Sequence, residues 1–545
     1  MPPAVMKPIL EVGASIGLDP QALRQYGRYV AKVPLDAVPA GNRRGNLVLV
    51  TAMTPGPSGE GKTTTAIGLV DAMCRLGQRA VLAIRQPSLR PLFGIKGGGT
   101  GGGMARVVPE DEIGLHFTGD AHAVSSSHNL LAAMVDNAVH LGAIPGLGPD
   151  GIVWPRVTDA QDRALRSIIA GVGGRANSPL REAEFILDAA SEVMAVLALS
   201  TSLENLRARL GRLVVAFDRS GQPFTASDVG AVGPMLSLLR HAIQPNLVQT
   251  MEGNPALVHA GPFGNIAHGC SSVVASTLGL RCADYLVTEA GFAADLGFEK
   301  YMDIVARSTG ITPSAAVVVV TARALKWHGG ASYQDSAGEN VAALEKGCDN
   351  LAAILNIVKL FNVPAVVAIN RFSHDTNREI SAIQRRALEL GANAVECNVF
   401  ANGGGGATDL AEVVMAACRT PASPTYLYAQ DASIQDEVAS LATRLYGAGD
   451  VEWSATALRQ VKRFQELGWN SLPVCIAKTN LSLSHDPNLR GRPTGYTFPV
   501  TGAHISAGAG FVYILAGNIT TLPGLPAHPR AIDMDVSASG EVTGL

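Results

Sequence analysis

Apolar residues recur along the chain in two spacings that predict alternating strands and helices. Residues 46–54 are almost all apolar and lead into Thr-Pro-Gly, which predicts a buried strand that enters a loop. Beyond that loop, apolar residues at helical spacing between 66 and 74 predict a helix that begins near Lys62. Residues 78–87 predict a second buried strand. A strand, loop, helix and strand in this order form a βαβ unit, which implies a parallel sheet.

Four further apolar runs predict buried strands. They lie at 211–218, 283–292, 315–325 and 363–372, and apolar helical patterns separate several of them. The fold class predicted is therefore α/β with a large parallel sheet. Residues 1–45 are predicted to form a helical lead-in. From about residue 425 the chain is richer in Pro, Gly and Asn, which favours a separate C-terminal domain.

The loop after the first strand carries Gly56, four residues, and then Gly61-Lys62-Thr63. This is the pattern of a P-loop, in which backbone N–H groups surround phosphate oxygens, the lysine reaches the terminal phosphates and the threonine hydroxyl binds Mg²⁺. The helix that follows places the positive end of its dipole at the same point. The alternative is a glycine-rich turn with a solvent-exposed lysine. Because a strand precedes the pattern and a helix follows it, we predict a nucleotide site. Its residues are Gly56, Pro57, Ser58, Gly59, Glu60, Gly61, Lys62, Thr63 and Thr64, with Thr63 as the metal ligand.

Charged side chains follow the second predicted strand. Arg85 is expected at its carboxyl end, beside the P-loop strand, where open α/β sheets bind ligands. A guanidinium group there suits a carboxylate or an acyl phosphate, because it can pair with two oxygens. Lys96 adds a second positive charge within the glycine-rich stretch 93–103, for which we favour a backbone-lined loop. The second glycine run, 403–406, has the composition of a flexible linker.

Residues 116–123 form a short polar segment that contains His116, Asp120 and His122. From the residues alone, structural hydrogen bonding is the preferred interpretation of these histidines.

Composition narrows the classes of protein. The length of 545 residues suggests three or four domains, and 16% charged residues against about 25% in a typical soluble domain favours a buried subunit interface. A formal net charge of −3 does not support nucleic-acid binding. Seven scattered cysteines without a CxxC pair suggest reduced thiols in a cytoplasmic protein. Neither a secretory signal nor a membrane-length apolar run is visible.

Many ordered segments together resemble the formate–tetrahydrofolate ligase family, also called 10-formyltetrahydrofolate synthetase. The resemblance runs through nearly the whole chain. The matching segments include GEGKTTT (59–65), FGIKGG (93–98), LHFTGD (115–120), SEVMAVL (191–197), QPNLVQT (244–250), GPFGNIAHGC (261–270), DYLVTEAGFAADLG (284–297), VVAINRF (366–372), LRGRPTGYT (489–497), SAGAGF (506–511) and TLPGLP (521–526).

The resemblance implies a fold, an assembly and a reaction. The expected domains are a nucleotide-binding domain at 1–357, a second domain at 358–450 that contributes to the folate site, and a C-terminal domain at 451–545, in a homotetramer. In the implied reaction, formate attacks the terminal phosphate of Mg·ATP to give formyl phosphate and ADP. N10 of tetrahydrofolate then attacks the acyl carbon and releases phosphate. A requirement for a monovalent cation stays open.

Candidate site residues follow from the pattern together with the resemblance. The catalytic candidates are Lys62, Arg85, Gln86, Lys96, His116 and Asp120. Ser373 and Phe400 occupy the positions of the family's pterin-stacking proline and tryptophan. The sequence departs from the family there and in the acid pocket, where Gln86 replaces a glutamate and Arg90 a glycine.

Three functions are therefore compared. The first is ligation of formate to tetrahydrofolate. The second is a related ATP-dependent ligase with a different small acid or a different amine or pterin acceptor, because the altered pockets fit such a relative as well as a divergent formate ligase. The third is a P-loop regulatory ATPase, against which the matches in the C-terminal third argue.

Overall fold

Strands and helices alternate through most of the chain. The structure, a computed structural model, describes residues 6–37, 45–94, 99–174, 176–421, 423–517, 519 and 521–544. The strands are β1 (Arg24–Gln25), β2 (Ala31–Lys32), β3 (Asn46–Ala52), β4 (Ala80–Ile84), β5 (Gly101–Gly102), β6 (Ala105–Val108), β7 (Arg156–Thr158), β8 (Ile168–Ala170), β9 (Arg181–Ala183), β10 (Phe185–Leu187), β11 (Val214–Phe217), β12 (Pro223–Thr225), β13 (Asn246–Thr250), β14 (Pro255–Val258), β15 (Tyr285–Glu289), β16 (Ala315–Val320), β17 (Ala365–Asn370), β18 (Asn393–Cys397), β19 (Asp450–Trp453), β20 (Val474–Ala477), β21 (Thr497–Val500), β22 (Gly502–Ser506), β23 (Phe511–Leu515), β24 (Asp535–Val536) and β25 (Val542–Thr543).

The helices pack mainly on the two faces of the principal sheet. They are α1 (Ile9–Ser15), α2 (Lys62–Arg75), α3 (Leu89–Phe93), α4 (Glu110–Gly114), α5 (Asp120–Leu141), α6 (Glu192–Leu199), α7 (Leu203–Gly211), α8 (Val232–Leu239), α9 (Val273–Cys282), α10 (Arg307–Thr309), α11 (Ala322–His328), α12 (Val341–Leu360), α13 (Asn377–Glu389), α14 (Val399–Asn402), α15 (Thr408–Cys418), α16 (Ile434–Arg444) and α17 (Ala455–Glu466).

One large sheet organises the molecule. Among the described residues, twelve strands join it, and seven neighbours run parallel in the order β14-β4-β15-β3-β16-β17-β18. Strands β13, β2 and β1 extend it antiparallel beyond β14, and the β5–β6 hairpin pairs with β13. The predicted α/β class with a large parallel sheet is confirmed.

The alternation of side chains along the central strands explains why both faces are covered. In β3, Val48, Val50 and Ala52 point to a core that includes α2 and α15. Leu47 and Leu49 point to the opposite core, which includes α5, α9 and α12. A strand that is buried on both faces reads as a continuous apolar run, which is why the sequence predicts it well.

The path of the chain through the sheet marks a crevice. From β3 the chain crosses to β4 on one side, and from β15 it crosses to β16 on the other side. Ligands of open α/β sheets bind outside the carboxyl ends of the strands at such a reversal. The loop between β3 and α2 lies at this point.

Several local expectations differ from the structure. The strand at Val214–Phe217 forms, but it pairs antiparallel with β12 in a separate sheet. The apolar run 315–325 is strand only to Val320, because the Thr321 hydroxyl accepts a hydrogen bond from Ala324 N–H and begins α11. The helical lead-in is only Ile9–Ser15, and β1 and β2 follow it as edge strands of the main sheet.

The predicted domain boundaries stay a prediction. Residue 357 falls within α12, and the next two strands, β17 and β18, are the last two of the large sheet. Residues 450–515 form separate small sheets, β19 with β21 and β20-β23-β22. Within the described residues, no helix is both long and apolar enough to cross a membrane. All seven cysteines are free thiols.

Candidate active site

Glu60 fixes the conformation of the loop between β3 and α2 through hydrogen bonds on the buried side of that loop. This carboxylate is 3% exposed and accepts a hydrogen bond from Gly56 N–H at 3.0 Å and one from the Thr321 hydroxyl. The amide of Asn370, at the end of β17, donates to the Glu60 carbonyl oxygen at 3.0 Å. These hydrogen bonds therefore tie the loop to β17 and to the start of α11.

Two glycines make the loop conformation accessible. Gly59 and Gly61 have φ angles of 76° and 77°, a region that disfavours side chains. A Cβ atom on Gly61 would also lie 2.6 Å from Asn370 Nδ2. Gly61 immediately precedes α2, so the N–H groups of the first helical turn, beginning at Lys62 and Thr63, stand at the helix N-terminus, where an anion can bind.

Thr63 meets a carboxylate from the neighbouring strand. Its hydroxyl donates to Glu289 Oε2 at 2.7 Å, and Glu289 ends β15, between β3 and β4. Glu289 lies within the matching segment 284–297, but from the sequence it is assigned no role. Its position at the carboxyl end of a strand next to the P-loop strand is the signal that identifies it. Two oxygen ligands at this point fit Mg²⁺, which is commonly bound through one or two carboxylates together with substrate phosphates.

In the described part of the chain, no group of three or more His, Cys, Asp or Glu side chains is arranged to hold a metal ion. A metal at Thr63 and Glu289 would therefore depend on phosphate oxygens for its remaining ligands.

Arg85 lies at the carboxyl end of β4. Its Nη1 donates to the Pro262 carbonyl oxygen at 3.3 Å, and its buried Nε has no protein partner among the described residues. A Cβ atom on Gly291 would lie 3.5 Å from Nη1, so the loop after β15 passes close to the guanidinium group. The group retains donor capacity for an anion.

His268 lies near Arg85 and was not singled out from the sequence. It is fully buried, and neither ring nitrogen has a partner among the described residues. Burial, and secondarily the positive charges of Arg85, Arg209 and Lys300, lowers the pKa of His268 to about 3. The imidazole is therefore neutral at physiological pH. Only the match of residues 261–270 to the family could have pointed to it.

Gln86 and Asp120 line one narrow cleft, together with Ala121 and Asp188. Gln86 is 8% exposed, and its side-chain oxygen has no partner among the described residues. Burial, and secondarily the charge of Asp159, raises the pKa of Asp188 to about 7.

Asp120 is held in a buried ion pair. It is the first residue of α5, its Oδ1 lies 2.8 Å from Lys32 Nζ, and it accepts from Asn246 Nδ2 at 2.8 Å. Burial lowers the pKa of Lys32, although the charge of Asp120 opposes this. The carboxylate therefore anchors α5 to the sheet edge. His116 is exposed in the turn before α5, and Lys96 lies outside the described residues.

Two exposed aromatic rings follow the adjacent parallel strands β17 and β18. Phe372 is 43% exposed and Phe400 is 61% exposed. Ser373, next to Phe372, is an exposed turn residue. Phe372 lies within the matching segment 366–372, but from the sequence only its neighbour, Ser373, is assigned to the folate site.

The β5–β6 hairpin lies between Phe400 and the phosphate loop, which is the loop that joins β3 to α2. Met104 N–H donates to the Phe400 carbonyl oxygen at 2.8 Å. A Cβ atom on Gly102 would lie 3.2 Å from the Phe400 ring and 3.8 Å from Thr64 Oγ1. The Phe400 ring and the first turn of α2 therefore share one neighbour, Gly102.

The glycine run 403–406 is packed against α2. It forms a 3₁₀ turn, and a Cβ atom on Gly404 would lie 2.7 Å from the backbone of Asp71. A Cβ atom on Gly406 would lie 2.3 Å from the Asn398 carbonyl oxygen. The composition of a flexible linker is misleading here, because these glycines permit close backbone contact.

The carboxyl edge of the sheet thus carries the candidate groups in a fixed order: Arg85, Glu289, the phosphate loop, then Phe372 and Phe400. A comparison with known proteins is consistent with this arrangement. The sequence profile of the family described as formate–tetrahydrofolate ligase matches residues 2–545. The chain belongs to the formate–tetrahydrofolate ligase family.

Relatives named formate–tetrahydrofolate ligase align along nearly their full length. The protein from Roseiflexus sp. (strain RS-1) is 52% identical over 99% of this chain and 98% of its own. Those from Methylobacterium sp. (strain 4-46) and Symbiobacterium thermophilum are 48% and 49% identical, each over 99% of this chain and 98% of their own. A family match that reaches residue 545 leaves the regulatory ATPase without support.

Proposed function

We propose that the protein joins formate to N10 of tetrahydrofolate at the expense of ATP, giving 10-formyltetrahydrofolate, ADP and phosphate. Family membership along the whole chain supports this activity. The observation that carries it in the structure is the order of groups along the sheet edge. A cation for an acid lies on one side of the phosphate loop, and two exposed rings for a pterin lie on the other.

In the first step, a formate oxygen attacks the terminal phosphorus of ATP. An O–P bond forms, the bridging P–O bond to ADP breaks, and formyl phosphate results. Lys62 and the loop N–H groups face the phosphates, and Arg85 stabilises the mixed anhydride. Such prearranged donors act where charge develops and need no covalent protein nucleophile.

In the second step, N10 of tetrahydrofolate attacks the formyl carbon. The C–N bond forms, the C–O bond to phosphate breaks with its electron pair leaving on phosphate, and the N10 proton passes to solvent. Phe372 and Phe400 stack on the pterin ring, while Ser373 lies at the rim in place of the family's proline. Ser373 and Phe400 together provide only one aromatic ring, and Phe372 provides the second.

Thr63 and Glu289 would hold Mg²⁺ that arrives with ATP, and this ion would neutralise phosphate charge. His268 offers a neutral hydrogen-bonding group beside Arg85. Among the other sequence candidates, Gln86 shapes the acid cleft and His116 faces solvent near the start of α5. Asp120 acts through its ion pair with Lys32.

We also propose a homotetramer in the cytoplasm. The low charged fraction of 16% and the family resemblance support the tetramer, and the seven free thiols suit a reducing compartment. Light scattering at micromolar concentration should give four times the mass of the chain, and a monomer would contradict the tetramer.

Measurement of ADP release tests the reaction. With Mg·ATP and tetrahydrofolate, ADP should form only when formate is added, and 10-formyltetrahydrofolate should accumulate in equal amount. Acetate, propionate and glycolate serve as parallel acids. ADP release that is independent of any acid would refute the ligase.

A ligase for another acid or acceptor is the second candidate, because Gln86 presents to the cleft an amide oxygen that no described residue hydrogen-bonds, at a position where the family usually has a carboxylate. ADP release with another acid but not with formate would favour it.

A further inference from the structure

A cavity with aromatic walls lies apart from the candidate active site. It has a volume of about 220 Å³ and is enclosed by segments 128–155, 186–217 and 266–267 together with the C-terminal segments 460–464 and 503–513. No residue of the phosphate loop lines it, and neither do Arg85, Phe372 and Phe400. Protein interiors contain few voids larger than a water molecule, so a cavity of this size requires an explanation.

The walls of the cavity are unusually rich in aromatic rings. Phe, Trp and Tyr make up 5% of the chain, yet they supply five of the 22 lining residues. These are Trp154, Phe217, Phe464, Phe511 and Tyr513. Planar walls of this kind favour a planar aromatic occupant.

Several of these rings are already fixed by neighbours. Trp154 stacks on His128 with centroids 4.3 Å apart, and Tyr513 stacks on His504 at 4.7 Å. The guanidinium group of Arg463 covers the Phe217 ring at 4.0 Å. The walls are therefore preformed.

Glu192 provides a hydrogen-bond acceptor in the wall. Its Oε1 accepts from Gly508 N–H at 2.7 Å and from Ala509 N–H at 3.2 Å. Its Oε2 has no partner among the described residues, and the side chain lines the cavity. Burial raises the pKa of Glu192 to about 7. The side chain is nevertheless partly accessible, since it faces the cavity.

Gln460 provides a donor in the same wall. Its Oε1 accepts from Ala503 N–H at 2.9 Å, which orients the amide. Its Nε2 is then left to donate, and no described residue accepts from it. One acceptor and one donor in an aromatic enclosure match the edge of a ring that carries both an N–H group and a ring nitrogen or carbonyl oxygen.

The opening lies toward solvent at Val153 and His504, both of which line the cavity and are exposed. The volume is below the roughly 300–1,000 Å³ of pockets for drug-sized ligands. It suits a single bicyclic ring system without a long substituent. The substrates ATP and tetrahydrofolate each contain a ring system of this class, but so do free nucleobases and free pterins.

We propose that this cavity is a second binding site, separate from the phosphate loop, for a bicyclic aromatic N-heterocycle with an N–H donor, the chemistry shared by nucleobases and pterins. The ring lies between the aromatic walls, an N–H group donates to Glu192 Oε2, and Gln460 Nε2 donates to the ring's acceptor. The proposal concerns binding and does not depend on which acid the ligase uses.

Calorimetric titration of the full chain tests the proposal. Adenine and pterin are the two probes, added separately in the presence of Mg²⁺ and a non-hydrolysable ATP analogue that fills the nucleotide site. We expect one of them to bind with a stoichiometry of one per chain and a dissociation constant of about 0.1–1 mM, as suits a ligand of about ten heavy atoms. The probe that binds distinguishes a nucleobase from a pterin.

Two variants locate the binding. In Glu192→Gln, the N–H groups of Gly508 and Ala509 keep the amide oxygen at the Oε1 position. The amide NH₂ group then stands at the Oε2 position, where it can donate a hydrogen bond but cannot accept one. Affinity should fall at least about tenfold, because the amide NH₂ group cannot accept a hydrogen bond from the ligand's N–H group. Ala503→Phe should fill the cavity and abolish binding. Glu182→Gln, which removes a charge outside the cavity, is the matched control and should bind as the wild type does.

Three results would overturn the proposal. The first is that neither probe binds to the wild type. The second is that binding is unaffected by both Glu192→Gln and Ala503→Phe, or is lost in Lys62→Ala or Phe400→Ala, which would place the probe elsewhere. The third is equal affinity for quinoline, a ring of similar size without an N–H group, which would contradict the ligand class. If Glu192→Gln fails to fold, the Ala503→Phe and quinoline measurements decide.

Discussion

The phosphate loop and the acceptor face, which are neighbours on one sheet edge, hold their functional groups in different ways. The loop is braced from inside by Glu60, which is 3% exposed and bonded to Gly56, Thr321 and Asn370. The acceptor face presents Phe372 and Phe400, which are 43% and 61% exposed.

The difference accounts for two of the departures from the family pattern, those at the exposed acceptor face. A change inside the loop would leave buried polar groups without partners, which is costly. A change at an exposed ring alters ligand contact and leaves the fold intact. The departures at Ser373 and Phe400 fall in the second class.

The largest expected effect is at the phosphate loop itself. Lys62→Ala should reduce ATP-dependent turnover to background, because the lysine contributes the charge that faces the terminal phosphates. The variant should fold, since Lys62 is partly exposed at the start of α2. Circular dichroism and ADP release are the measurements, and Lys462→Ala, at an exposed lysine, is the control. A folded Lys62→Ala protein with near-normal turnover would refute the nucleotide assignment.

Arg85 should have the next largest effect. Arg85→Ser should lower formate-dependent ADP formation by about 10²–10³-fold, the usual consequence of losing one donor to a developing charge. ATP binding should be unchanged. Arg79→Ser is the matched control, because Arg79 precedes the other end of β4 and pairs with Asp284 at the surface. A loss below about threefold would assign the mixed anhydride to another cation.

The acceptor face should respond more modestly. Combining Ser373→Pro with Phe400→Trp restores the family's pair and should lower the Michaelis constant for tetrahydrofolate by roughly one to two decades. The estimate takes stacking as about 1–3 kcal/mol per ring and 1.4 kcal/mol per decade.

Phe372→Ala tests the other ring of that face and should raise the same constant by about tenfold or more. Ser373→Ala should leave it nearly unchanged. If Phe372→Ala has no effect while Ser373→Ala does, the stacking role belongs to position 373.

The smallest expected effect concerns the pH dependence of stability. Asp71 of α2 is fully buried, its Oδ1 accepts from Thr250 and Asn254, and burial raises its pKa to about 7. Between about pH 4 and 7 the folded protein keeps a proton that the unfolded chain loses. Stability from this group therefore falls as pH rises, by at most about 1.4 kcal/mol per pH unit.

In Asp71→Asn this contribution is absent. The decrease in Tm between pH 5 and pH 8 should be smaller than in the wild type by a few degrees. Asp409→Asn, at an exposed carboxylate of α15, is the control and should keep the wild-type slope. An unchanged slope in Asp71→Asn would mean that Asp71 is ionised in the folded protein.

Much of the sheet could be predicted from the sequence because its central strands are buried on both faces. The runs that became β3, β4, β15, β16 and β17 are continuous and apolar. The strand at 214–217 has the same appearance but pairs elsewhere, since apolarity reports burial and not the partner. Thr321 ended the predicted strand at 315–325 through a local cap, a side-chain contact that periodicity does not register.

The site was predictable where a backbone motif determines it and less so where contacts between distant segments do. The pattern at 56–63 specifies a loop and the start of a helix. Glu289 and His268 lie beside residues far away in sequence, Thr63 and Arg85, so no local spacing reveals these contacts. Phe372 is exposed at the end of an apolar run, and the pattern alone gives it no role. Asp120 is a catalytic candidate in the sequence, and its ion pair is not visible there because its partner, Lys32, lies 88 positions away.

The glycines at 403–406 set a limit for anyone who wishes to redesign this enzyme. They let the segment that carries Phe400 rest directly on α2, whose first turn forms the proposed phosphate site. In the proposed arrangement, the backbone of this segment sets the distance between the nucleotide and the acceptor, and exchanging side chains in either pocket leaves that distance unchanged. Accommodating a bulkier acid between them would require lengthening or re-routing this segment, so we expect loop insertion to succeed where pocket enlargement alone fails.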